Sequence, residues 1–76
     1  MKELIAYFAK YLVDDPSQVN VTESSTGESS ALVELHVAPS DVGRVIGRGG
    51  RVANAMRTLL KVMATRSGKR VNLEIP

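Results

Sequence analysis

Cysteine is absent from this sequence, so neither disulfides nor thiolate metal sites can hold it together. Aromatic residues are nearly absent: Tyr7, Phe8 and Tyr11 are the only ones, all near the N-terminus. No segment approaches the ~20 consecutive apolar residues that span a bilayer. The opening MKELIAYFAKYLVDD is interrupted by Glu3 and Lys10 and is followed by no small-residue cleavage site, so it does not read as a signal peptide. No membrane role follows, and a soluble cytoplasmic protein is expected. The chain has 76 residues, enough for one core, and it reads as a single complete domain over 1–76 without repeat or linker. A domain this short buries only about 60% of its unfolded surface, which leaves self-association as the remaining source of added stability.

Acidic residues are missing from a long stretch. Between Val42 and Leu73 lie Arg44, Arg48, Arg51, Arg57, Lys61, Arg66, Lys69 and Arg70 with no Asp or Glu, whereas residues 1–41 are net acidic and the whole chain is only +2. Basic charge gathered in one half of a nearly neutral chain points to a localised polyanion site.

Periodicity supplies the elements. Leu4, Ile5, Phe8, Tyr11 and Leu12 recur at helical spacing, which predicts a helix over 2–13, ended by Asp14-Asp15-Pro16. Val19 and Val21 alternate with polar neighbours as in a strand, and the polar run Glu23–Ser29 reads as a hairpin connection. A second strand follows, with Ala31, Val33, Leu35 and Val37 on one face and Leu32, Glu34 and His36 on the other. Pro39-Ser40 marks a turn in which Ser40 is placed to cap a short helix over 41–46, and Gly43 is expected to let that helix pack closely on a neighbour. A long helix then begins near Arg51, with Val52, Ala55, Met56, Leu59, Leu60 and Met63 as its apolar stripe and Met56, Leu59, Leu60 and Met63 assigned to the core. Ser67-Gly68 stops it, and Val71, Leu73 and Ile75 alternate in a last strand. The expected class is α+β in two layers, α-β-β-α-α-β, with a three-stranded sheet covered on one face by three helices.

Between the last two predicted helices lies Val45-Ile46-Gly47-Arg48-Gly49-Gly50-Arg51-Val52. Glycine is required where the backbone takes positive φ or where a phosphate must approach without meeting a Cβ. The following helix directs its unbonded N–H groups and positive dipole end at the loop, and Arg48 and Arg51 can add charge-assisted contacts. A P-loop is excluded, since no Gly-Lys-Ser/Thr follows, and the Rossmann glycine order is absent.

This segment, in this element order, resembles the KH family in its bacterial, type II arrangement, and the chain is similar over its whole length to the small stand-alone bacterial KH proteins. The resemblance implies a non-catalytic protein that holds about four nucleotides of single-stranded RNA in a narrow groove beside the loop. Gly47 and Gly50 would be the paired glycines, with Arg48 and Gly49 between them. Val42, Val45, Ile46 and Val52 would supply an apolar floor; the competing reading makes them core, with at least two of the four wholly buried. The last strand and the loop before it, with Lys69 and Arg70, would form the opposite wall. Arg44 and Arg51 complete the candidate set. Many relatives carry a basic residue where this chain has Gly49, which implies weaker binding than from a doubly basic loop. Strands without aromatic rings count against RRM and OB platforms, which stack bases on their sheets.

The remaining features point away from chemistry. There is no cysteine nucleophile and no carboxylate pair in sequence near the basic loop, and the serines at 24–30 have no base nearby, so no catalytic residue, cofactor or metal is expected. His36, the single histidine, reads as a surface or half-buried polar residue. Arg57, Lys61 and Arg66 fit either a solvated helix face or a track for the RNA backbone. The resemblance also implies self-association and pairing with a larger KH-containing RNA-binding protein, in the service of RNA chaperoning or post-transcriptional regulation. The same groove would accept single-stranded DNA.

Overall fold

The computed structural model describes residues 2–76. Helix α1 spans Lys2–Leu12, strands β1 and β2 span Asn20–Gly27 and Ser30–His36, helices α2 and α3 span Val42–Ile46 and Arg51–Arg66, and strand β3 spans Arg70–Glu74. The expected α+β class and element order are both found. Short 3-10 turns at Pro16–Gln18, Pro39–Asp41 and Arg48–Gly50 connect the elements.

The sheet order is β1-β2-β3, with β1 antiparallel and β3 parallel to β2. Registers such as Val21↔Leu35 and Val33↔Leu73 align the apolar positions on one face. There Val33, Leu35 and Leu73 pack with Ile5 and Ala9 of α1, Val45 of α2 and Met56 and Leu60 of α3. The helices therefore form one layer and the sheet the other. Among the described residues no helix is long and apolar enough to cross a membrane.

Five local expectations need correction. Residues Glu23–Gly27 are strand, not connection, and the turn is confined to Glu28 and Ser29. The ladder to Ala31–Val33 takes up the peptide groups that face β2, and this end of β1 is exposed, so it needs no apolar residues. Ser40 caps nothing: it lies inside a 3-10 turn, and the residue before α2 is Asp41. Leu59 and Met63 are 42% and 39% exposed, because the core-facing lane of α3 is Ala53, Met56, Leu60 and Ala64. Gly43 meets no neighbour that a Cβ would touch, so close packing is not its reason. Of Val42, Val45, Ile46 and Val52, only Val45 is wholly buried.

Candidate nucleic-acid interface

The loop between α2 and α3 is built from three glycines with positive φ, Gly47 at 76°, Gly49 at 65° and Gly50 at 80°. Gly47 closes α2, its N–H donating to the Gly43 carbonyl at 2.9 Å. A Cβ there would stand 2.6 Å from Val52 Cγ2. Gly50 donates to the Gly47 carbonyl at 3.2 Å and leads into α3 in a left-handed conformation. No side chain caps α3, and its first turn contains no acidic residue. The positive dipole end of this 16-residue helix is therefore not offset from within its own first turn.

Arg48 and Arg51 project from the loop and are exposed. Neither they nor Lys69 and Arg70 pair with a carboxylate among the described residues. Arg44 differs. Its guanidinium lies 2.8 Å from Asp14 Oδ2 and 3.4 Å from Asp41 Oδ1. Asp41 is 1% exposed, and its two carboxylate oxygens accept the backbone N–H groups of Asp14 and Asp15, each at 3.1 Å. This cluster fastens the end of α1 to the start of α2 and so fixes the approach to the loop. Ile46 and Val52 are half-buried beside the glycines.

From the loop a polar lane continues along α3. Asn54 lies next to Gly50, Arg57 follows one turn later, and its Nη1 donates to Asn54 Oδ1 at 3.2 Å. Beyond them an open groove runs between α3 and β3, lined by Arg57, Lys61, Lys69, Arg70, Ser29 and Ser30. The α3–β3 connection holds its shape through a glycine cap: Gly68, at φ 70°, donates to the Thr65 carbonyl, and Lys69 N–H donates to the Ala64 carbonyl at 2.8 Å. Lys69 and Arg70 are thereby delivered to the same groove as Arg57 and Lys61, although about a helix length from Arg48. Arg66 does not line it.

The free edge of β3 forms the groove's second wall. Arg70 N–H donates to the Ser29 carbonyl at 2.7 Å on the β2 side, whereas Arg57 Nε reaches the Leu73 carbonyl at 3.3 Å from the other side. Peptide groups alternate along a strand, so those of Val71 and Leu73 face the groove. Asn54 was not among the sequence candidates, and Arg57 entered only as one of three basic residues that fit either a solvated face or an RNA track; their spacing of four and seven from Gly50 was the available signal.

The family model described as KhpA/KhpB, KH domain, matches residues 2–75. The chain is 52% identical over 75 residues to the RNA-binding protein KhpA of Clostridium acetobutylicum, covering 99% of each chain. It is 53% identical over 74 residues to that of Treponema pallidum, covering 97% of this chain and 91% of the relative. With that of Aquifex aeolicus it shares 45% identity over 75 residues, covering 99% and 94%. No solved structure matches the chain significantly.

Proposed function

Because the chain belongs to the KhpA/KhpB KH-domain family, we propose that it is a single non-catalytic KH domain that holds short single-stranded RNA along α3, starting at the Gly47–Gly50 loop. The observation that carries this reading is the uncapped α3 N-terminus beside exposed, unpaired Arg48 and Arg51. A phosphate placed there would meet helix N–H groups, a positive dipole end and two guanidinium groups at once. Ile46 and Val52 would floor the groove, and Lys69 and Arg70 would hold the far end of the strand. The protein acts in the cytoplasm as an RNA chaperone or post-transcriptional regulator. The name its relatives carry, RNA-binding protein KhpA, supports RNA as the ligand.

The test is binding of short single-stranded RNA pools by the wild type and by Arg48→Asp/Gly49→Asp. Gly49 has a φ of 65° with open space around it, and aspartate is among the residues that tolerate that region, so the variant keeps its fold. Circular dichroism checks this. Affinity should fall at least tenfold, and unchanged binding would move the site elsewhere. Competition with DNA oligomers of the same sequence separates RNA from single-stranded DNA.

A second reading concerns assembly. Leu59, Val62 and Met63 form an exposed apolar lane on the flank of α3 opposite the groove. This lane supports self-association, or pairing with a larger KH-containing protein of the KhpB kind named with KhpA in the family description. Two weak grooves so joined would gain affinity through avidity. Sedimentation over a dilution series tests it, and a monomer at the highest concentration would remove the homodimer.

A further inference from the structure

Arg57 holds an unusual position in the α3–β3 groove. Its Nε is committed to the Leu73 carbonyl on the free edge of β3, and one Nη1 proton to Asn54 Oδ1. These two anchors come from different elements, so they fix the plane of the guanidinium across the groove. An arginine carries five N–H donors, which leaves three of them, one on Nη1 and two on Nη2, unspent. No carboxylate among the described residues pairs with Arg57.

We infer that Arg57 reads a base: at its place in the groove it selects one that presents two adjacent acceptors, guanine or cytosine. The inference rests on the proposal that RNA lies in this groove. A charge serving only to attract phosphate gains nothing from being anchored at two points, and lysine would serve as well. A fixed pair of parallel donors has a specific complement. Guanine offers O6 and N7, the commonest arginine contact on bases. Cytosine offers O2 and N3, both accessible once the base is unpaired. Adenine and uracil each set a donor beside the acceptor, so one arginine N–H would meet another N–H. The peptide groups of Val71 and the N–H of Leu73 lie on the same wall and supply the remaining contacts to the base edge. Discrimination thus comes from the helix side chain and strand edge together, while the Gly47–Gly50 loop holds backbone and is indifferent to sequence.

The test uses the full chain and fluorescein-labelled uridine hexamers in which one guanosine, cytidine or adenosine is moved through the six positions. Anisotropy should show a single register where guanosine or cytidine binds about tenfold more tightly than uridine or adenosine, within the range for one bidentate contact. 7-Deazaguanosine, which lacks N7, identifies guanine as the occupant if it abolishes the gain, and cytosine if only cytidine produced one. Arg57→Lys keeps the charge but not the fork. It should bind all-uridine about twofold more weakly and reduce the preference to about twofold. Equal tightness for all four bases in the wild type would overturn the inference. So would a preference that survives Arg57→Lys, or a uniform loss across all hexamers in that variant. Arg48→Asp/Gly49→Asp, run in parallel, separates the two claims: if it abolishes binding while Arg57→Lys leaves base preference intact, the loop reading stands and the inference fails. If no hexamer binds the wild type, both fail.

Discussion

Gly47 and Gly49 both have positive φ, yet they differ in what surrounds them. A side chain at Gly47 would collide with Val52 at 2.6 Å, whereas Gly49 faces open space. Gly49→Ala should therefore cost only the backbone penalty, about 1 kcal/mol, while Gly47→Ala adds overpacking for a total of about 3 kcal/mol. Urea unfolding of the two variants measures the gap, and equal losses would contradict the geometry. Asp41 is the other residue on which local structure depends. Replacing it with alanine strands the N–H groups of Asp14 and Asp15 and removes a partner of Arg44, with an expected loss of about 3 kcal/mol. Arg44→Gln removes the half-exposed guanidinium but leaves both N–H groups bonded to Asp41, and should cost less than about 1 kcal/mol. The glycine turn was legible in sequence, because three glycines in four positions exceed what a helix connection needs. Asp41 was not: an aspartate before a short helix looks like any N-terminal acid, and its partners lie some 26 and 27 positions away.

Helix α3 shows where periodicity stops being informative. Its spacing correctly predicted an amphipathic helix from Arg51, and Met56 and Leu60 are buried as expected. The same stripe also included Leu59 and Met63, which are exposed. An apolar arc wider than the core-facing lane looks the same in sequence whether the excess meets the sheet or a partner. Only tertiary placement separates the lanes. The strand β1 shows the converse, since its polar half pairs with β2 through backbone groups that carry no side-chain signal. The α3 distinction is open to measurement. Leu60→Ala should cost about 2–5 kcal/mol in urea unfolding, as expected for a large-to-small change in a core. Leu59→Glu/Met63→Glu should change monomer stability by no more than about 0.5 kcal/mol at each site while abolishing self-association in sedimentation. A large monomer destabilisation would return these two residues to the core.

Across the whole molecule, the separation of charge along the chain becomes a separation in space. Unpaired cations border the loop and the α3–β3 groove, while Asp14 and Asp41 are spent on Arg44. Binding through two to four phosphates should give a log K against log salt slope of roughly −1.5 to −3, and a slope near zero would remove the electrostatic account. The same small body must also stay folded. Its largest fully buried residues are Ile5, Leu35, Leu60, Val33, Val45 and Asp41, a short list that includes one charged side chain. Covering Leu59, Val62 and Met63 in a dimer would add the apolar burial that one copy lacks, and would link folding to concentration. A tenfold rise in protein concentration contributes about 1.4 kcal/mol per dimer, which for two chains of this size raises Tm by about 4 °C. Differential scanning calorimetry over two decades of concentration should show that rise for the wild type. Leu59→Glu/Met63→Glu should melt lower and at one temperature throughout. If the wild type also melts at a fixed temperature, the exposed lane of α3 plays no part in its stability, and the single domain holds itself folded.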